Sequence, residues 1–206
     1  MFHDSGIRTL LVLFLAAGRA EAQAPKGPPL ASFVAQRIAV MPVQLLRSDS
    51  AAFVRPAAWA AFRRELDDSI GSAIAERGVG KKWAYAADIA RTAQRNAAYV
   101  SDPYSLGVQP LRNAVYKVGD KIPDLFSSNL RSLIALGDAR YALVPVEVMF
   151  VRIGAQQRAV MRLILVDGRA GLFMWAGDVA SEAAGSLTPV VINSLAARVA
   201  DLIVAP

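Results

Sequence analysis

The amino-acid sequence predicts a mixed α/β domain in which helices pack on a single sheet of about five strands. Three observations support this prediction. Short β-rich runs alternate with amphipathic helical stretches along the first two thirds of the chain. The last third carries three long β-rich runs separated by turn residues, and a final helix follows them. The resulting order, β-α-β-α-loop-α-β-β-β-α, is typical of one layered domain.

The first half of the predicted domain contains two short strands and two helices. Residues 36–43 form a β-rich run that is ended by a proline, which is typical of a buried strand. Pro56 opens a helix at a position that tolerates proline, and Gly78 ends it. The apolar residues of this helix recur at three- and four-residue steps: Trp59, Phe62, Leu66, Ile70 and Ile74. Residues 82–86 alternate as a second short strand, and residues 87–96 favour a second helix.

Residues 97–121 show no clean period and predict a long loop. Loops of this length are uncommon in compact domains and are often functional. The loop contains three tyrosines, Tyr99, Tyr104 and Tyr116. Tyrosine offers a large contact area at a low cost in conformational entropy, so these three are candidate binding residues. The alternative, that the loop only packs on its own domain, stays open.

The last third of the chain predicts a three-stranded antiparallel meander between two helices. Its β-rich runs are residues 141–152, 158–166 and 171–182. Gly154 lies in the first turn, and Asp167-Gly168 lies in the second. A helix at residues 124–136 precedes the meander, and a final helix starts at residue 188 or 189 and ends near residue 203.

The predicted meander places three side chains in one row. Counting back from the two turns, Glu147 faces Arg162, and Arg162 in turn faces Trp175. A carboxylate, a guanidinium and an indole side by side form an ion pair and a cation–π contact. The row is therefore a candidate site for an anionic or polar ligand, and the alternative of a purely structural ladder stays open. A register slip of one residue would separate these side chains.

The composition excludes several kinds of catalytic and metal site. The chain has no cysteine, and its one histidine, His3, lies near the start. The rest of the chain after His3 therefore excludes cysteine nucleophiles, disulfides, Cys/His zinc sites and Ser-His-Asp triads. Asp67 and Asp68, near Glu65, diverge around a helix and do not predict a metal site. We expect no cofactor, no metal and no enzymatic activity, although an enzyme that works through carboxylates alone stays open.

Residues 1–22 predict a secretory signal peptide. Arg8 provides a positive start, residues 10–17 form an apolar run, and the small residues Ala20 and Ala22 precede the expected cleavage after Ala22. The apolar run is far shorter than the roughly 20 residues that a membrane-spanning helix needs. The sequence therefore predicts a periplasmic or secreted protein.

The predicted mature chain begins with a flexible leader at residues 23–35, and a single α/β domain at residues 36–206 follows. The net charge of +6 favours contact with anionic headgroups, cell-wall polymers or acidic proteins. The basic residues are scattered, which argues against nucleic acid as a partner. The expected partner is an envelope protein or an anionic envelope component. Peripheral contact with a membrane and formation of a homo-oligomer stay open.

Three short segments resemble the CsgG and TolB-amino-terminal group of bacterial envelope proteins. Residues 37–43 (RIAVMPV) are similar to the opening strand of that group, and residues 136–144 (LGDARYALV) are similar to its helix-to-strand junction. Residues 163–175 (LILVDGRAGLFMW) are similar to its strand hairpin. The order of the elements also agrees, from about residue 37 to residue 203.

This resemblance implies an α/β sandwich that works by binding or assembly at the cell envelope and performs no chemistry of its own. The group includes a lipid-anchored secretion pore, whose anchoring cysteine this sequence lacks. We therefore expect an exported, non-enzymatic accessory protein of the envelope, with outer-membrane or surface assembly as its setting. The alternative is a periplasmic small-ligand carrier that uses the row of Glu147, Arg162 and Trp175.

Overall fold

The computed structural model describes residues 27–48, 56–79, 82–186 and 189–206. The predicted signal peptide and the first residues of the leader lie outside the described residues. Within the described residues the chain forms a five-stranded sheet with helices on both faces, which confirms the predicted fold class. No helix in this part of the chain has the length and apolar character that a membrane crossing needs.

The sheet is mixed, with the order β1-β3-β4-β5, and β2 pairs with β3 as well. Its strands are β1 Ile38–Val40, β2 Leu45–Ser48, β3 Tyr141–Ile153, β4 Gln156–Asp167 and β5 Leu172–Ala180. β1 and β2 both run parallel to β3. β3, β4 and β5 form the predicted antiparallel meander.

The first predicted strand, at residues 36–43, forms only as β1, and the unpredicted strand β2 continues after it along β3. Residues 41–44 separate β1 from β2, and the Gln44 N–H donates to the Pro145 carbonyl at 3.0 Å. Opposite this break, the register of β3 and β4 shifts between Pro145 and Glu147. Proline has no N–H to donate to a ladder, so Pro42 and Pro145 place the irregularity here.

The second predicted strand, at residues 82–86, is not formed. Ala84 makes one parallel bridge to Ala39 of β1 and continues no further as a strand. Trp83 and Tyr85 nevertheless point to the same apolar core, which accounts for the alternation that predicted a strand. This segment is extended, but it pairs at one residue because helix α2 begins at Ala86.

In the described part of the chain, four α-helices cover the two faces of the sheet: α1 Pro56–Glu76, α2 Ala86–Arg95, α3 Asp124–Leu136 and α4 Pro189–Asp201. α1 and α4 contact each other and share a core with Leu143 and Leu163. α2 and α3 pack over the opposite face, in a core with Val144 and Ile164. Adjacent strand residues thus serve opposite faces, as the pleat requires. Each large apolar side chain that is fully buried in these cores contributes about 1.5–3 kcal/mol.

Part of the segment predicted as a flexible leader packs on the domain. Leu30 is buried, and its N–H donates to the Leu202 carbonyl at 2.8 Å. The ring of Phe33 meets the ring of Tyr141 edge-on, with centroids 5.2 Å apart. The packed part of the chain therefore includes Leu30, which lies before the predicted boundary at residue 36.

Candidate functional site

A buried glutamine, Gln44, holds the long loop to the sheet. It follows the break between β1 and β2 and is only 3% exposed. Its side-chain nitrogen donates to the carbonyls of Pro42 and Pro103, both at 2.8 Å. Its side-chain oxygen accepts from the Leu106 N–H at 3.0 Å. Because these bonds are buried, Gln44 fixes residues 103–106 of the loop against the sheet.

The end of the loop pairs with the outer edge of β5. The Gly119 N–H donates to the Phe173 carbonyl at 2.8 Å, and the Phe173 N–H donates to the Asp120 carbonyl at 2.8 Å. The ring of Tyr116 stacks on the ring of Phe173, with centroids 3.8 Å apart. The loop therefore covers a sheet edge that would otherwise present unpaired backbone groups.

The three candidate tyrosines of the loop lie in different surroundings. Tyr116 is half-buried on Phe173, and Tyr104 is half-buried beside Arg63, whose guanidinium lies 5.6 Å from the Tyr104 ring centroid. Tyr99 is 84% exposed. Tyr99 is thus free to meet a partner, whereas Tyr104 and Tyr116 pack mainly on their own domain.

Exposed apolar side chains are concentrated in and directly after the loop. Among the described residues, the four most exposed large apolar side chains are Val115 (94%), Tyr99 (84%), Val118 (75%) and Leu125 (66%). Leu125 belongs to the first turn of α3 and lies close to Gly107 of the loop. We call these four residues the loop apolar set. These four exposed side chains make the segment a candidate for contact with a partner.

The predicted row of Glu147, Arg162 and Trp175 forms only in part. Glu147 and Arg162 are register partners across β3 and β4, as expected. The pairing of Arg162 with Trp175 is wrong, because Arg162 pairs with Asp178. The turn between β4 and β5 has the predicted length of four residues but lies one residue later, because Asp167 pairs with Leu172, and this moves β5 by two residues relative to β4. A register shift next to Leu165 moves β5 by a further residue.

The turn between β4 and β5 is closed by a buried aspartate. Asp167 is 3% exposed, and its Oδ1 accepts from the N–H groups of Arg169 and Ala170 at 3.1 and 2.9 Å. Its Oδ2 accepts from Arg140 at 2.8 Å. These bonds close a turn of four residues, 168–171, which lies one residue later than the predicted turn at 167–170. Trp175 consequently packs on the core that α1 and α4 cover, away from Arg162.

Charged side chains surround a groove of about 350 Å³, which we call the arginine groove. Its polar residues are Arg47, Arg112, Asn113, Glu147, Arg162 and Asp178, and Met149 and Val160 supply apolar contacts. Arg47 comes from β2, Arg112 from the long loop, and the others from the loop and the meander. The topology therefore gathers residues that are far apart in sequence.

Glu147 is the centre of this charge network. It is 9% exposed, and its Oε1 lies 2.9 Å from Arg112 Nε and 3.5 Å from Arg47 Nη1. Arg162 donates to both oxygens of Asp178, at 3.1 and 3.3 Å, and to the backbone carbonyl of Arg112. The hydrogen bonds to Asp178 raise the pKa of Arg162 above its usual value, so the guanidinium stays charged. Three guanidiniums against two carboxylates leave one excess positive charge.

The two adjacent acids of α1 point apart, as the sequence predicted. Asp68 is exposed, whereas Asp67 is 5% exposed and its Oδ1 accepts from the Val43 N–H at 2.9 Å. The Oδ2 of Asp67 has no hydrogen-bond partner among the described residues. Burial raises the pKa of Asp67 to about 7 and outweighs the lowering by Val43 and Arg63. In the described ranges, no group of three or more His, Asp and Glu side chains is arranged to hold a metal ion.

Sequence reasoning missed Gln44, Arg47, Arg112 and Asp178. Arg47 and Arg112 meet Glu147 through long-range contacts that no local pattern reveals. For Asp178 part of the signal existed, because a turn one residue later accounts for two of the three positions that separate Trp175 from Asp178. A polar residue between the apolar neighbours of residues 38–46 was the available signal for Gln44.

Comparison with known proteins gives structural similarity at low sequence identity. No family model matches this sequence, and no curated protein matches it. The fold is similar to that of LpoB from E. coli, with a TM-score of 0.43 and 15% identity over 88% of this chain and 84% of that chain. A dodecamer of PelC from Paraburkholderia phytofirmans gives a TM-score of 0.39 and 14% identity over 86% and 93%. Lipoprotein GNA1162 from Neisseria meningitidis gives 0.40 and 15% over 75% and 88%.

None of these three proteins is a CsgG or TolB protein, so the resemblance to that group stays a prediction. With TM-scores below 0.5 and identities of 14–15%, the similarity assigns neither a family nor a function to this chain. The function is inferred below from the residues of the chain itself.

Proposed function

We propose that this chain is an exported, non-enzymatic accessory protein of the bacterial cell envelope that binds a protein partner through residues 97–125. The loop apolar set is the observation that carries this proposal. Its four side chains are more exposed than the other large apolar side chains of the described residues. Burial of such side chains in an interface is favourable, at about 25 cal/mol per Å² of apolar surface.

The anchoring of the loop supports a binding role. Gln44 holds residues 103–106, and the edge of β5 pairs with residues 119–122. Tyr116 adds a stacked ring contact to Phe173 between these two points. A surface that is already fixed before binding loses less conformational entropy when the partner arrives.

Export is the second part of the proposal and rests on the sequence. Residues 1–22 have the charged start, the apolar run and the small residues of a cleavable signal. The net charge of +6 suits an anionic envelope surface or an acidic protein partner. A non-enzymatic role is in keeping with the absence of cysteine and of any histidine after His3.

The test uses size-exclusion chromatography of extracts of the native cells. It compares the elution of the wild-type protein with that of two variants. Val115→Ser/Val118→Ser removes two members of the loop apolar set. Val190→Ser is the matched control, because Val190 is a 51% exposed valine on α4. We expect the wild type and the control to elute in a complex and the double variant to elute as the lone chain, with an unchanged unfolding midpoint. Elution of all three proteins as the same species would overturn the proposal.

A further inference from the structure

We propose that the arginine groove binds an oxyanion, a phosphate or carboxylate carried by a small organic molecule, between Arg47 and Arg112. This inference uses none of the loop apolar set and does not rest on the proposed protein partner. The guanidinium groups of Arg47 and Arg112 converge on one oxygen of Glu147 from two separate segments of the chain. Their remaining N–H groups form the binding site.

Two arginines of the groove, Arg47 and Arg112, have unused hydrogen-bond donors. Arg112 uses Nε for Glu147, and its side chain makes no other hydrogen bond to the described residues. Arg47 reaches Glu147 through Nη1, and its side chain is 53% exposed. Arg162, by contrast, is occupied by Asp178 and by the backbone carbonyl of Arg112. A guanidinium offers paired N–H groups that match the geometry of a carboxylate or a phosphate.

The position of Arg112 is fixed before any ligand arrives. Arg162 donates to the Arg112 carbonyl, and Glu147, which is 9% exposed, accepts from the Arg112 side chain. Glu147 thus orients two arginines and neutralises only one of them. The excess positive charge remains in a partly buried groove, where electrostatic attraction is stronger than on an open surface.

The surroundings of the groove favour an organic anion over a bare ion. Met149 and Val160 line it, and they are register partners across β3 and β4. The volume of about 350 Å³ lies within the range of small-molecule sites. Arg158, two residues before Val160 on the same strand face, has a buried Nε without a hydrogen-bond partner among the described residues. Arg158 belongs to the strand face that carries Val160 and Arg162, and it lies outside the lining of the groove.

The experiment titrates the isotope-labelled exported protein with glycerol 3-phosphate and, separately, with glucuronate, and follows backbone amide shifts. We expect at least one probe to give saturable shifts at residues 47, 112 and 113. Arg47→Gln should weaken that binding about fivefold or more, because it removes donors and leaves the Glu147–Arg112 contact intact. Asp178→Asn should tighten binding severalfold, because it removes a competing negative charge.

Arg91→Gln is the matched control, since Arg91 is exposed on α2 and its one ion pair within the described residues is with Asp88, three residues away. We expect this variant to bind the probe as the wild type does. The probe that binds identifies the anion as phosphate or carboxylate, and either result supports the proposal. The absence of saturable shifts at these amides with both probes would overturn it. Equal weakening by Arg47→Gln and Arg91→Gln would also overturn it, because the attraction would then be non-specific.

Discussion

The carboxyl group of Asp67 is buried beside the backbone of Val43, and burial raises its pKa from 3.8 to about 7. In the folded protein Asp67 keeps its proton over a pH range in which the unfolded chain has already lost it. The stability that this proton confers is present in full below about pH 4 and is lost as the pH rises to about 7. Burial of the Asp67 carboxyl group is the structural origin of this dependence.

We therefore compare the free energy of unfolding of the wild type with that of Asp67→Asn. Between about pH 4 and about pH 7, we expect the wild type to lose a few kcal/mol relative to the variant, since one pKa unit corresponds to ~1.4 kcal/mol. Urea unfolding at successive pH values measures the difference. Asp68→Asn, a change at the exposed neighbour, should keep the slope of the wild type. Parallel curves for the wild type and Asp67→Asn would contradict the burial argument.

Tyr116 and Tyr99 should respond differently to truncation, although both belong to the loop. Tyr116→Ala removes the ring that stacks on Phe173, so we expect it to lower the free energy of unfolding by about 1–3 kcal/mol. Tyr99→Ala changes a side chain that is 84% exposed and should cost less than about 0.5 kcal/mol. Chemical denaturation of both variants measures these costs. An equal loss in the two variants would show that the packing assigned to Tyr116 is absent.

At the scale of elements, Gln44 connects the break between β1 and β2 to the long loop. Gln44→Ala removes all three side-chain bonds and leaves the buried Leu106 N–H without its acceptor. We expect a loss of about 1–3 kcal/mol and faster amide hydrogen exchange at Leu106. Gln94→Ala, a change at an exposed glutamine on α2, is the matched control. Unchanged exchange at Leu106 in Gln44→Ala would show that the loop is held by other contacts.

Periodicity predicted the elements that bury one continuous stripe. α1 is defined by apolar residues such as Phe62, Leu66 and Ile70, which all lie in the core that the helix covers. β2 was missed because Leu45–Ser48 is short and gains its strand character only from pairing with β3. Residues 82–86 are the opposite case, because a strand was predicted there and does not form. Their alternation reflects the burial of Trp83, while Ala84 makes a single bridge to β1.

The candidate site shows the same division between local and long-range information. The first turn of the meander could be placed from Gly154, so the pairing of Glu147 with Arg162 was predicted correctly. The second turn has the predicted four residues but lies one residue later, where Asp167 holds Arg169 and Ala170 in place. That displacement, together with the register shift next to Leu165, moved Trp175 out of the site and brought Asp178 into it.

At the scale of the whole molecule, the described residues share one five-stranded sheet, and the proposed export depends on residues 1–22. We expect the protein recovered from the periplasm or the medium of its native cells to begin at Gln23, because signal peptidase cleaves after small residues such as Ala22. Intact-mass measurement identifies the first residue. Substitution of Ala22 by a bulky residue such as Phe should retain the longer form. A mature chain that still carries residues 1–22 would contradict the export proposal.

The measurement that tests the central claim most directly is site-specific photo-crosslinking in native cells. A crosslinking residue at position 115, in the loop apolar set, is compared with the same residue at position 190 on α4. We predict a discrete adduct with one protein from position 115 and none from position 190, because only the loop is proposed to meet the partner. Adducts from both positions, or from neither, would contradict the account of residues 97–125 as a partner-binding surface.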